Sequence, residues 1–125
     1  MGNRVVDIMS ENVLTIERGA ATRLAIQMML WGGFRHLPVV DEGELVGIVT
    51  EYDLYRARLA GADDDLPVDT VMSTDLVIAS PSDSMASVAA RMSDARIAGV
   101  PVVSEGRLVG IVTSTDMLAH LGAPP

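Results

Sequence analysis

Shifted by 63 residues, the chain lies on itself without a gap: Met9-Ser10 falls on Met72-Ser73, Met29 on Met92, Pro38-Val39-Val40 on Pro101-Val102-Val103 and Asp53 on Asp116. Leu45 to Thr50 and Leu108 to Thr113 are identical residue for residue. A constant offset across a chain of 125 residues means a duplicated supersecondary unit, with repeats over 1–62 and 63–125. Two units that each bury one face against the other predict a pseudo-twofold domain around one core. The seam, AGADDDLP at 60–67, is short, polar and turn-like.

Within each repeat the hydrophobic period changes in the same order. Val13 to Ile16 and Leu76 to Ala79 are short β-prone runs. A helix follows: Met85, Val88, Ala89 and Met92 stand at i, i+3, i+4 and i+7, and Ala21, Leu24, Ala25, Met28 and Met29 make the same stripe in the first repeat, before Gly32-Gly33 stops the helix. Ser80, Ser82, Asp83 and Ser84 all offer an N-cap for the second copy. Leu37 to Val40 is nearly all apolar and predicts a strand buried on both faces. Glu42-Gly43 turns it into a return strand over Leu45 to Thr50, and Gly106 marks the matching turn. Second helices begin at Glu51 and Ser114, and segments 5–10 and 68–73 read as lead-in turns or short helices. Each repeat is therefore β-α-β-β-α, and the fold class is α/β (α+β).

Composition narrows what such a fold can do. Apolar residues make up 49% of the chain, with eight methionines. That fits either an aliphatic core with Met as filler or a surface that meets a partner chain, and Met28, Met29, Leu30 and Trp31 favour a homodimer. The net charge is −8 and all nine basic residues are Arg, which disfavours nucleic acid and anionic membrane as partners of the whole surface. There is no cysteine, so disulfides, thiolate metal sites and a Cys nucleophile are excluded. The N-terminal MGNRVVDIMSEN lacks an apolar signal core and no apolar run is long enough to span a bilayer, so a cytoplasmic location is expected.

Catalysis has little support. The histidines, His36 and His120, occupy non-equivalent positions, no serine sits in a nucleophile elbow, and without lysine there is no Walker glycine loop. Asp63-Asp64-Asp65 reads as a charged linker, with cation attraction as the alternative. No metal site and no cofactor are expected.

The chemistry-bearing pattern is the doubled Thr-x-x-Asp, Thr50 with Asp53 and Thr113 with Asp116, where a strand passes into a helix. Two readings stand side by side. The Thr and Asp can close a capping box. Alternatively, the free amides of a helix N-terminus attract an anion and a carboxylate there accepts two hydrogen bonds from a vicinal diol. Gly47 and Gly110, placed mid-strand, indicate that a backbone or a ligand approaches closely.

RHLPVVDEGELVGIVTEYDL (35–54) and GVPVVSEGRLVGIVTSTDM (99–117), with DIMS and TVMS ahead of them, closely resemble the cystathionine-β-synthase (CBS) domain, and the tandem resembles a CBS domain pair, or Bateman module. The resemblance covers essentially the whole chain. It implies a regulatory sensor that binds AMP, ADP, ATP or S-adenosylmethionine in clefts between two packed repeats, commonly dimerises, and signals to an effector protein. On this resemblance Asp53 and Asp116 match ribose-diol carboxylates, and Thr50 and Thr113 match hydroxyls near ribose or phosphate. Leu37-Pro38 and Val100-Pro101 match one wall beside adenine. Leu14, Thr15 and Ile16, with Val77 and Ile78, match the other wall. Arg35 and His36 match basic positions that meet phosphate. The second repeat has Ala98-Gly99 at the positions of Arg35-His36, so the two sites are expected to differ in their preference for phosphate, with Arg96, Arg56 and Arg58 as nearby substitutes. A ligand-free dimerisation module is the alternative function.

Overall fold

The structure is a computed structural model, described here for residues 2–122. Its chain divides into two compact units. One is continuous, Leu14–Leu76; the other is discontinuous, joining residues 2–13 to residues 77–122. The unit boundaries are thus not those of the sequence period. Residues 63–76 of the second repeat pack with the first repeat, and residues 2–13 of the first pack with the second.

The continuous unit runs β1 (Ile16–Glu17), α1 (Thr22–Gly32), β2 (His36–Asp41), β3 (Glu44–Thr50) and α2 (Glu51–Leu59), then a single 3₁₀ turn at Val68–Thr70. Its sheet has the order β1-β2-β3, with β1 parallel to β2 and β2 antiparallel to β3. The discontinuous unit opens with the equivalent 3₁₀ turn, Val5–Asp7, and continues with α3 (Met85–Ala95), β4 (Gly99–Ser104), β5 (Arg107–Thr113) and α4 (Ser114–Leu121). Its sheet is the antiparallel pair β4-β5. The first strands are shorter than the β-prone runs predict: Val13 to Thr15 stays outside β1, and in the second copy only Ala79 bridges, in parallel, to Val102.

Local sequence explains the boundaries. Both hairpins turn on a Glu-Gly pair with positive φ at each residue, 50° and 84° at Glu42-Gly43 and 51° and 76° at Glu105-Gly106, the primed geometry that matches strand twist. α1 ends on Gly33 at φ 70°, where glycine carries no Cβ penalty; α3 ends on the equivalent Arg96 at φ 56°, where a side chain does. Of the four candidate caps for α3, Ser84 is the one used, its hydroxyl accepting the Ser87 amide at 3.0 Å. On α1 the buried positions are Thr22, Ala25 and Met29, while Leu24 faces out; the Thr22 hydroxyl turns inward and donates to the Asp64 carbonyl at 2.9 Å.

The apolar residues form two cores instead of the single one expected. Ile16, Ala25, Met29, Leu37, Val39, Val49, Leu54 and Val68 make one; Ala79, Val88, Met92, Val100, Val102, Val112, Met117 and Val5 make the other. Position by position the two sets are related by the 63-residue offset, except that each borrows its lead-in valine from the other repeat. Val5 and Val68 are both fully buried. Burial of such a side chain contributes about 1.5–3 kcal/mol, so each lead-in is a structural member of the unit it joins.

The mid-strand glycines have a backbone explanation. A Cβ on Gly47 would lie 3.0 Å from the Ser73 carbonyl oxygen and 2.9 Å from Met72 Cγ, and one on Gly110 would lie 2.9 Å from the Ser10 carbonyl and 2.7 Å from Met9 Sδ. Each lead-in Met-Ser crosses the strand there and pairs with it, Ser10 with Ile111 and Ser73 with Ile48. Both hairpins also shift register at this level, between Val39 and Val40 and between Val102 and Val103.

Candidate functional site

Strand direction gathers the sequence-predicted residues at one end of each sheet. In the continuous unit His36 pairs with Thr50 across β2 and β3, and the Glu51 amide donates to the Arg35 carbonyl at 3.0 Å. This end of the hairpin lies opposite the Glu42-Gly43 turn. Because β1 runs parallel to β2, Leu14 and Thr15, just before Ile16, enter the sheet from this same end. Asp53 follows in the first turn of α2. The discontinuous unit repeats the layout: Gly99 pairs with Thr113, Ser114 donates to the Ala98 carbonyl at 2.9 Å, and Val77 and Ile78 precede the Ala79 bridge.

Within this end the capping box is fully formed in both copies. The Thr50 amide donates to Asp53 Oδ2 at 2.9 Å and the Asp53 amide donates to Thr50 Oγ1 at 3.1 Å; Thr113 and Asp116 do the same at 2.8 and 3.1 Å. Capping engages one carboxylate oxygen. A carboxylate has two oxygens with about four lone-pair sites, so the same Asp can cap and accept a hydroxyl. Asp53, Asp116, Thr50 and Thr113 are all part-exposed.

The wall residues divide by exposure. Leu14 is 54% and Ile78 45% exposed, and Thr15 is also exposed. Leu37, Pro38, Val100 and Pro101 are fully buried and Ile16 is nearly so, so in this structure they present no open surface to a ligand. Val77 is half-buried against its core. Arg35 is exposed, with its Nε 3.9 Å from Glu51 Oε2, a loose pair that an anion can open. His36 is half-buried.

Of the substitute arginines, Arg58 donates to both oxygens of Asp64 at 3.1 Å and Arg56 stacks over the Tyr52 ring at 5.6 Å. Asp65 is held by Arg23, and Asp63 Oδ1 accepts the Asp65 amide, so the acidic seam is tied to α1 and α2. Among the described residues no cluster of ligating side chains suits a metal ion. No helix among them is long and apolar enough to cross a membrane.

Two features were not foreseen from sequence. One is an apolar groove of ≈ 200 Å³ between α1 and α2, lined by Ile26, Met29, Leu30, Leu54 and Tyr55 with Glu51 and Arg58 at its polar edge. Of the residues the sequence marks for a ligand it contains only Arg58, one of the substitute arginines. The other is Arg91, which donates to the Ile78 carbonyl at 2.6 Å and to Asp83 Oδ2 at 2.8 Å. The Asp83 carboxyl is held below the usual carboxylate range, first by the Ser80 amide, which it accepts at 2.9 Å, and then by Arg91. The 63-residue offset did carry a signal here, since Arg91 occupies the position of Met28.

Comparison with known proteins agrees with the geometry. The CBS-domain family model matches residues 5–60 and 68–123. An uncharacterized protein of Methanocaldococcus jannaschii is 39% identical over 95% of this chain, which spans 43% of that protein. The homoserine O-acetyltransferase of Methanococcoides burtonii is 38% identical over 94% of this chain, which spans 24% of it. The chain therefore spans less than half the length of these relatives. A CBS domain-containing protein of Bacillus subtilis is 33% identical over 93% of this chain and 84% of its own length. Among solved structures, the CBS domain pair of protein MJ0100, in complex with 5′-methylthioadenosine and S-adenosyl-L-methionine, is 33% identical and matches 98% of both chains at a TM-score of 0.91. Repeat, topology and family match converge: this chain belongs to the CBS-domain family and carries two CBS domains in tandem.

Proposed function

We propose that the chain is a regulatory module, without catalytic activity of its own, that binds adenosine-containing ligands at the Thr-x-x-Asp end of each unit and signals to an effector protein. The observation that carries this reading is the convergence, in both units, of a part-exposed Thr and Asp, the exposed residues just before the first sheet pairing (Leu14 and Thr15, or Ile78) and the start of the buried Pro strand at one sheet end. A related pair solved with 5′-methylthioadenosine and S-adenosyl-L-methionine supports the ligand class. Ribose binds Asp53 or Asp116, and the exposed Leu14-Thr15 or Ile78 flanks the base. AMP, ADP, ATP and S-adenosylmethionine are the candidates. Titration calorimetry with each, on the wild-type chain, tests the proposal. Absence of heat with all of them, and of thermal stabilisation at ligand excess, refutes it; a ligand at a hundred times its Kd stabilises the folded state by about 2.7 kcal/mol.

A second reading, a dimerisation module that binds nothing small, is favoured by the completeness of the capping boxes, which account for Thr and Asp without a ligand. Dimerisation is compatible with both readings. Leu30, Trp31, Tyr52, Tyr55 and Leu59 on α1 and α2 are 65–89% exposed, more apolar surface than a solitary unit needs. We propose a homodimer through these helices. Light scattering that gives the 13.2 kDa monomer at all accessible concentrations refutes it.

A further inference from the structure

We propose that Arg91 is a positioning residue that ties the adenosine site of the discontinuous unit, and not that of the continuous unit, to the N-terminal lead-in. The inference rests on the ligand-binding reading above and adds a route by which one of the two sites is read out.

The main chain docks both lead-ins in the same way. The Val5 amide donates to the Asp83 carbonyl at 2.9 Å and the Val6 amide to the Pro81 carbonyl at 3.0 Å. Their counterparts are Val68 to the Ala20 carbonyl at 2.8 Å and Asp69 to the Arg18 carbonyl at 3.1 Å. The side chains differ. In the discontinuous unit one guanidinium reaches the Ile78 carbonyl and Asp83 Oδ2, while the Asp83 main-chain carbonyl takes the Val5 amide. Ile78, Arg91, Asp83 and Val5 thus form a chain of direct hydrogen bonds from the exposed wall residue to the lead-in. The same Asp83 oxygen also accepts the Ser80 amide, which fixes the turn between them.

In the continuous unit the matching positions are Thr15, Met28, Ala20 and Val68, and no such chain is possible through Met28 and Ala20. Its lead-in is held instead by Arg18, which donates to Asp69 at 3.2 Å and to Asp41 at 3.3 Å. These partners lie beyond β1, at the opposite end of the strand from Leu14 and Thr15. A further difference makes Arg91 matter. β1 pairs with β2 at two residues, Ile16 and Glu17, whereas of the equivalent Ala79 and Ser80 only Ala79 bridges, so Arg91 adds a side-chain tie where the second copy has one strand pair fewer. The planar fork of arginine holds two acceptors at fixed separation, which lysine cannot reproduce.

The test uses amide hydrogen exchange, resolved to peptides, with S-adenosyl-L-methionine and 5′-methylthioadenosine as probes, on wild type, Arg91→Met and Arg91→Lys. Methionine is the residue the first repeat itself uses at this position. In wild type, probe binding is expected to slow exchange over residues 77–80 and also at Val5 and Val6, with no change at Val68 and Asp69. In Arg91→Met, protection of residues 14–18 is retained, the probe concentration needed to protect residues 77–80 rises about tenfold, and the response at Val5 and Val6 disappears. Arg91→Lys, which keeps the charge but not the fork, is expected to fall between the two and serves as the deciding variant if Arg91→Met does not fold. Unchanged protection at Val5 and Val6 in the variants, or an equal loss of binding in both units, overturns the inference while leaving ligand binding standing. No protection anywhere in wild type, with no calorimetric heat, overturns both.

Discussion

The close approach at Gly110 makes a quantitative test of how the lead-in is held. In Gly110→Ala the new methyl carbon lies 2.9 Å from the Ser10 carbonyl oxygen. That oxygen must retreat by a few tenths of an ångström. It also accepts the Ile111 amide at 3.0 Å, and the Ser10 amide donates back to the Ile111 carbonyl at 2.9 Å, so the movement that relieves the clash stretches both bonds of the bridge. Two such bonds contribute about 0.5–1.5 kcal/mol each, which sets the upper end of the cost near 3 kcal/mol. Met9 Sδ, at 2.7 Å, belongs to a flexible side chain and can rotate, though it then gives up its packing against the core. Removing a glycine from a strand returns roughly 0.5–1 kcal/mol through the unfolded state. The net expectation is a loss of about 1–2 kcal/mol. Urea denaturation measures it: with a slope of about 1–3 kcal/mol/M, the midpoint falls by several tenths of a molar unit or more at unchanged slope. Gly19→Ala is the control, because nothing lies within 4 Å of its Cβ and its φ is not in the left-handed region; it is expected to be neutral or mildly stabilising. A Gly110→Ala protein as stable as the Gly19→Ala control refutes the claim that the lead-in backbone is what reserves this position for glycine.

Other perturbations follow from the same geometry. Arg96→Gly, which gives α3 the C-cap that Gly33 gives α1, is expected to raise stability by about 1 kcal/mol in thermal or urea unfolding. Asp53→Ala and Asp116→Ala each remove a capping partner and should cost about 1 kcal/mol of stability; on the ligand reading, calorimetry also shows a loss of one to two decades in affinity at the altered unit, and affinity untouched at both would leave capping as their whole role. Because the Asp83 carboxyl titrates below its unfolded value, its contribution is fully present above that value, about 3.9, and is lost as pH falls through the folded one. The stability difference between wild type and Asp83→Asn should therefore be constant from pH 7 to 5 and shrink below 4, and a difference that persists unchanged into acid would contradict the assignment. Arg35→Ala should weaken ATP binding at the continuous unit by at least several-fold more than AMP binding, while Glu51→Gln, which frees Arg35 from its loose pair, should strengthen it up to several-fold.

How much of this was legible beforehand depends on whether the controlling interaction is local. The Glu-Gly turns, the helix starts at Glu51 and Ser114 and the buried Pro strands are written in neighbouring residues, and they stand where periodicity places them. The capping boxes follow from the three-residue Thr-to-Asp spacing in the same way. What a duplicated sequence cannot state is which lead-in serves which core. Val5 and Val68 have equivalent surroundings in sequence, and either connection satisfies the same local pattern, so the exchange is decided by tertiary packing alone. The wall residues show a different limit. Resemblance marks Leu37 and Val100 by position, yet both residues are fully buried, because a strand covered on both faces leaves a neighbour little surface to meet. Arg91 went unread because its partners, a carbonyl 13 residues away and a loop carboxylate, are visible only in three dimensions.

The exchanged lead-ins decide where this protein can be divided. Severing it in the acidic seam, where the sequence period ends, yields two fragments that each carry a strap fitted to the other and a core lacking its own last valine. Such halves are cohesive ends: they should anneal with each other when mixed, because each carries the strap that the other lacks. The natural cleavage planes lie at residues 13/14 and 76/77 instead, and the span between them, Leu14–Leu76, is the stretch that owns every residue of its core. A transplantable CBS unit is therefore bounded by the packing of its straps and not by the length of its repeat.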